Sequence, residues 1–518
     1  MLPQHAATAA WAQPLSPTFD LFMAAVLGAL HTASFVYTDT WWLQLLAMGL
    51  LVWRVSVATP RRAAGLGLVF GTAWICAGTW WLFISMHRYG GLPAWMAALA
   101  VLALGLALSI YLAAAMAAYV RWRTGRPWVD ALLFAALWLL AELARGVVFT
   151  GFPWVASGYA HVDSPLAKLA PWVGVYGIGA IGAFLVAWVA EARPAIGPSR
   201  LLAIAALVAV LGLIHSHTGP MLFTRPTGTL EVSLLQGNIP QEEKFATAHQ
   251  GAALDWHLTQ LLAAKGDLVV APETALPFLP EQMPEGFLDG LRRRFSGKTH
   301  ALFGVPLGDE QSGYTNSALG FAPGREAYRY DKVHLVPFGE FIPKGFRWFT
   351  EMMNIPLGDF DRGTLEAPSF VVRGERVAPN ICYEDLFGEE LAARFRNPAS
   401  APTIFANISN IGWFGNTIAV EQHLNISRMR SLEFQRPMLR ATNTGATVII
   451  DHRGHVAQGL KPYTRDVLQG PVQGREGLTP FAWWASRYGL WPPVLVALLM
   501  LLVLRVPAWV RRLRRTPT

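Results

Sequence analysis

Val377-Ala-Pro-Asn-Ile-Cys382-Tyr-Glu384 reads as a strand that runs into a thiol and then a carboxylate. Two other segments share the design. Asp267-Leu-Val-Val-Ala-Pro-Glu273 delivers a glutamate immediately after Pro272, and Tyr328-Arg-Tyr-Asp-Lys332-Val-His334-Leu-Val-Pro-Phe-Gly-Glu340 presents a lysine and a second glutamate. The ends of strands in an α/β sheet are where such groups converge on a crevice. Singly, each has a plain reading: a cap, a solvated lysine, a small core thiol. Together they predict one site in an α/β domain.

The chemistry needs these residue types. A thiol is only a few per cent ionised at neutral pH, so it needs a base within hydrogen-bond reach or a cation that lowers its pKa. Cys382 is therefore the expected nucleophile, Glu273 the general base and Lys332 the cation. Lys332 has a second expected role as oxyanion stabiliser, together with a backbone N–H after Cys382. His334 and His423 raise the alternative of a Cys-His dyad, but the triad already supplies a base. Both histidines are read as structural, and neither a metal nor a cofactor is implied.

Outward from this site the composition changes. The chain is 53% hydrophobic and 15% charged, too apolar for a purely soluble protein of 518 residues. Stretches long enough to cross about 30 Å of hydrocarbon occur near Phe19–Val36, Trp41–Val57, Ala63–Met86, Pro93–Val120, Trp128–Phe149, Leu166–Ala190, Arg200–His215 and Phe481–Val506. The expected order is a membrane domain over residues 1–222 with seven spans, a soluble domain over 223–479, and an eighth span with a basic tail over 480–518. The first span is read as an uncleaved anchor. The net charge of +8 is no nucleic-acid footprint, because many arginines lie between apolar stretches. Arg54, Arg61 and Arg62, then Arg121, Arg123 and Arg126, then Arg193 and Arg200, and last the tail, fall on alternate loops. With eight spans they share one side, which predicts cytoplasmic termini and a soluble domain outside the cytoplasm.

Other features have simpler readings. Gly177-Ile-Gly179-Ala-Ile-Gly182 has the spacing of a dinucleotide-binding turn but lies inside an apolar helix, where small residues serve close packing. Cys76 is read as an inert thiol in an apolar run. Glu142 and Arg145, three apart on the fifth span, are read as a structural pair. Trp41, Trp42, Trp80, Trp81, Trp483 and Trp484 fit an interfacial belt.

Pro272-Glu273, Lys332 and Cys382-Tyr-Glu resemble the Glu-Lys-Cys triad of the nitrilase superfamily. With spans on both sides, the chain resembles its membrane-bound branch, the apolipoprotein N-acyltransferases. The likeness includes Thr150-Gly-Phe-Pro-Trp154, Gln236-Gly-Asn-Ile-Pro240, Trp413-Phe-Gly415, Gln422-His423 and Arg440-Ala-Thr-Asn443. It implies an αββα sandwich in the periplasm on an inner-membrane anchor. It also implies a phospholipid acyl donor, a Cys382 thioester, and a diacylated apolipoprotein whose N-terminal amine accepts the chain. The expected protein is monomeric. The likeness gives Glu340, Tyr383 and Glu384 supporting roles and places Phe245, Trp413 and Phe414 at a substrate rim. Lys244-Phe245 and Asn410-Ile-Gly-Trp-Phe-Gly415 depart from the usual Lys-Trp and Asn-Asp-Ala-Trp-Phe-Gly. The alternative is a membrane-anchored amidase, with water as acceptor.

Overall fold

Apolar residues on every face of a segment demand an apolar solvent, and the N-terminal helices meet that description. The computed structural model describes residues 16–191, 221–244, 247–350 and 359–513; the seventh expected span and Phe245 lie outside them. Among the described residues, six long helices come first: α1 (Pro17–Ala33), α2 (Trp41–Val55), α3 (Pro60–Thr79), α4 (Ala94–Trp122), α5 (Pro127–Val147) and α6 (Ala170–Glu191). Helices α1 and α3 start where Ser16 and Thr59 accept N–H bonds and proline takes the first turn. Among the described residues, the helices at 94–122, 127–150 and 165–191 are each long and apolar enough to cross a membrane alone.

Two expected spans are bent. The third continues past α3 into a helical turn, Leu82–Tyr89, inclined by 62°. The last, expected as one span over Phe481–Val506, is two helices meeting at 91°. Thr479 caps the first of these, and Gly489, at φ +55°, ends it. The small residues of Gly177–Gly182 sit within α6, where a Cβ on Gly179 would meet Glu142 and Ser157. They serve close packing.

Each strand of the soluble part alternates or runs fully apolar according to what covers it. One sheet has the order β12-β1-β2-β3-β4-β5, built from β1 (Thr224–Gln236), β2 (Leu268–Val270), β3 (His300–Asp309), β4 (Gly313–Phe321), β5 (Tyr328–Asp331) and β12 (Asp466–Gly477). The other has the order β11-β10-β9-β8-β7-β6, from β6 (Phe370–Val372), β7 (Glu375–Ile381), β8 (Ile404–Ser409), β9 (Met438–Thr442), β10 (Val448–Ile450) and β11 (Val456–Gly459). Leu234 and Val270 of the first sheet pack with Ile381, Ile408 and Leu439 of the second in one buried core. The outer face of the first sheet is covered by α7 (Thr247–Ala263) and α8 (Phe287–Arg294) through Leu261, Leu291 and Phe295. The outer face of the second is covered by α9 (Ala419–Phe434) and α10 (Pro480–Tyr488) through Val420, Phe434, Phe481 and Ala485. The domain is an αββα sandwich. Helix α10 completes its outer layer, and α11 (Trp491–Leu513) then leaves with Leu495, Leu499 and Leu502 exposed.

The two parts share a core. Tyr383, Leu386, Phe387, Ala419, Ile426 and Met429 belong to the same buried cluster as the bundle residues Trp74, Trp138, Trp154 and Tyr159. Trp81, expected at the interfacial belt, is buried at this junction, where its indole N–H donates to Gln422 at 3.0 Å. Trp42, Trp80 and Trp483 are exposed.

Candidate active site

Three strand ends bring the reactive residues together. Glu273 follows β2 across Ala271-Pro272, Lys332 follows β5, and Cys382 follows β7 at the first residue of a short 3-10 turn. Gly304 on β3 lets the glutamate loop lie close, since a Cβ there would fall 2.6 Å from the Cα of Glu273. Cys382 has φ +52°, a left-handed value costly for a residue with a Cβ and common where a nucleophile is held on a sharp turn.

Lys332 is 1% exposed and its ammonium lies between two carboxylates, 2.8 Å from Glu340 Oε1 and 3.4 Å from Glu273 Oε1. Asn316, from the middle of β4, donates from its amide nitrogen to both Oε1 atoms at 2.8 Å. The other oxygens are fixed by backbone: Asn410 N–H donates to Glu273 Oε2 and Val336 N–H to Glu340 Oε2, each at 2.8 Å. Burial opposes the charge on Lys332, but Glu340 and Glu273 outweigh it and hold the ammonium above its ordinary pKa. It stays a cation at any working pH.

For Cys382 the balance runs the other way. Burial comes first, then the charge of Glu273, and together they push the thiol well above its ordinary pKa despite the pull of Lys332. Lys332 pulls this pKa down as expected, but burial and Glu273 outweigh it. The resting site holds S–H, which leaves a proton for Glu273 to take. At pH 7 iodoacetamide should therefore alkylate Cys382 more slowly than a free thiol, with the rate still climbing above pH ~9.

The supporting residues divide. Glu340 anchors Lys332. Glu384 is a pin, accepting from the N–H groups of Ile381 (2.6 Å), Val333 (2.6 Å) and His334 (3.2 Å) and from Tyr330 Oη (2.8 Å). It ties the lysine loop to the cysteine turn. Glu384→Ala would orphan three buried N–H donors and should destabilise the protein by about 3–5 kcal/mol, read as a lowered melting temperature. Tyr383 turns away from the site; its hydroxyl donates to Gly151 O of the membrane part at 3.2 Å. Phe414 packs on Trp81 with ring centroids 4.2 Å apart, and Trp413 meets Tyr89 edge-on at 5.6 Å. Both rim residues thus lie where the two parts meet.

His423 excludes itself as a base. Arg440 can only donate, so at 3.2 Å it makes Nδ1 of His423 the acceptor and leaves the ring proton on Nε2. Nε2 faces Asp385 Oδ1 at 3.0 Å and the Cys382 carbonyl at 3.2 Å. His334 bonds Glu390 and stacks on Phe387. Both act on the backbone and packing around the thiol. Among the described residues, no group of three or more His, Cys, Asp or Glu side chains is arranged to hold a metal ion.

The sequence reading missed Asn316 as part of the site. An asparagine in the middle of a strand carries no local signal; only its register on β4, opposite Pro306 and beside Lys332, brings it there.

Comparison with known proteins adds the remaining facts. Residues 27–190 match the model of the apolipoprotein N-acyltransferase N-terminal domain, and residues 231–480 match that of carbon-nitrogen hydrolases. An apolipoprotein N-acyltransferase of Verminephrobacter eiseniae is 52% identical over 506 residues, covering 92% of this chain and 94% of that protein. That of Ralstonia nicotianae is 46% identical, with 92% of each chain covered. A carbon-nitrogen hydrolase of Helicobacter pylori G27 aligns with 51% of this chain and 94% of its own, at 16% identity and a TM-score of 0.34. Identity that high over nearly the full length makes this chain a member of the apolipoprotein N-acyltransferase family.

Proposed function

We propose that this acyltransferase moves an acyl chain from a phospholipid to the N-terminal amine of a diacylated apolipoprotein through a thioester on Cys382. The observation that carries the reading is the meeting of Glu273, Lys332 and Cys382 at three strand ends, on a turn whose next residue, Tyr383, is packed into the membrane bundle.

In the first half-reaction Glu273 takes the thiol proton as sulfur attacks the ester carbonyl. Negative charge gathers on the carbonyl oxygen, where the Lys332 ammonium and the backbone N–H of Tyr383 stabilise it. Collapse breaks the C–O bond, and Glu273 returns the proton to the departing lysophospholipid alkoxide. In the second half the lipoprotein amine attacks the thioester, Glu273 accepts the amine's proton, and the sulfur leaves as thiolate and is reprotonated. Glu340 holds Lys332 in place throughout and keeps it charged.

The membrane part makes both substrates accessible. Extracting a lipid into water costs about 0.8 kcal/mol per CH₂, and an enzyme mounted at the bilayer surface avoids most of that. The orientation follows from the arginines. Arg54 pairs with Asp20 at 2.8 Å, Arg62 meets the same carboxylate, and Arg123 pairs with Glu191 at 2.6 Å. These residues tie together the ends of the bundle helices remote from the loops that meet the sandwich. The positive-inside rule supports a cytoplasmic side for that end, with the termini inside and the catalytic sandwich in the periplasm of a bacterial inner membrane. One chain holds every residue the scheme uses, which supports a monomer as the working unit.

The test is the mass of the Cys382 peptide after incubation of the protein in phospholipid vesicles. An added acyl group, transferable to a diacylated lipopeptide, is expected. Undiminished transfer by Cys382→Ala would overturn the reading, and release of free fatty acid in place of acylated peptide would favour hydrolysis.

A further inference from the structure

Arg145 ends helix α5 deep in the protein, 4% exposed, and its contacts lead to the nucleophile. One of its nitrogens donates to two carbonyls of the segment that follows, Phe152 O at 3.1 Å and Trp154 O at 2.7 Å. The other is 3.4 Å from Glu142 Oε1, and the guanidinium lies over Trp74, 5.1 Å from the ring centroid. Glu142 Oε1 in turn accepts from Ser157 N–H at 2.7 Å, so the pair grips the segment at both ends. The sequence offered these two residues as a plain helix-face pair.

The segment reaches the catalytic turn by two routes, one through α9 and one directly. Trp154 donates its indole N–H to Gln422 Oε1 at 2.8 Å and stacks on His423, with centroids 5.6 Å apart and an interplanar angle of 26°. His423 Nε2 reaches the carbonyl of Cys382 itself. Gly151 O accepts from the hydroxyl of Tyr383, the next residue. The backbone of this segment is not relaxed: Phe149, Thr150 and Val155 all have positive φ. Something must hold it, and Arg145 is a buried group bonded to two of its carbonyls.

We infer that Arg145, braced by Glu142, is a positioning residue for the nucleophile, acting through Trp154 and His423 on the Cys382 carbonyl and through Gly151 on Tyr383. Nothing in the triad requires a cation here. The sulfur's place relative to Glu273 is set in part by a membrane helix, and an error of an ångström in such a placement costs about 10²-fold in rate. The inference rests on Cys382 being the acylated residue.

Full-length protein in phospholipid vesicles tests it, through the single-turnover rate constant and amplitude of thioester formation and the pH profile of Cys382 alkylation. Arg145→Gln should slow acylation by about 10–100-fold at unchanged half-saturating phospholipid and move the alkylation profile, while Arg145→Lys, able to reach one carbonyl, recovers part of the rate. A merely structural role would lower the amplitude and leave the rate constant and the profile where they were; that result overturns the inference. If Arg145→Gln does not fold, Trp154→Leu removes the ring that stacks on His423 and with it the first route. A slowed rate constant then supports the path, and a wild-type one refutes it. Failure of the wild-type protein to form any thioester would instead refute the reading of Cys382, and the two failures are distinct.

Discussion

A Lys332→Met protein should form no measurable acyl thioester and should melt about 10 °C lower than the wild type. Methionine fills much the same volume, so packing is nearly kept. What changes is charge. Glu273 and Glu340 would face each other across Asn316 with no cation between them, and breaking a buried ion pair from one side costs about 3–5 kcal/mol. One carboxyl would then hold a proton at neutral pH. If it is Glu273, the base is lost together with the oxyanion donor, which alone is worth about 10²–10³ in rate. The mass of the Cys382 peptide and a melting curve read the two effects separately. Near-normal thioester formation would show that Lys332 is only a strut.

Glu273→Gln should retain the fold and lose about 10²–10⁴ in the rate of thioester formation, the usual worth of a placed general base. The amide keeps an oxygen for the bonds from Asn316 and Lys332, but its nitrogen faces the buried Asn410 N–H, so stability should fall by about 1–3 kcal/mol. Cys382 alkylation separates the two variants by sign. The negative charge of Glu273 is one of the causes holding the thiol pKa up, so removing it should move the alkylation profile to lower pH. Lys332 pulls that pKa down, so Lys332→Met should move the profile to higher pH. Shifts in the same direction would contradict the electrostatic account of the site.

The parts of this protein legible in its sequence are those written in local patterns. Pro272-Glu273 and Ile381-Cys382 could be found because each ends an apolar run with a reactive type, and a strand's end is where the sheet stops hiding its side chains. The αββα layers followed from the resemblance those residues carry. Asn316 was hidden, because its contact with both carboxylates is made across strands. The thiol's raised pKa was hidden too, since burial is a property of the folded surroundings and Lys332 looked like a free cation. The bend before Leu82 left no mark, because the apolar run on both sides of it, up to Ile84, reads alike whether straight or turned. The last bend did leave one, in Gly489 followed by Pro492-Pro493, a helix stop and a fresh start.

That last bend decides where the chain can be trimmed without uncovering the second sheet. Phe481, Ala482 and Ala485 fill the outer layer over Phe395 and Phe434, although by hydropathy they begin the final span. A recombinant fragment trimmed at Thr479 would open a greasy trough along the second sheet and should aggregate. A chain that keeps the bundle and runs to Gly489 carries its own lid for that face and sheds only the helix that follows.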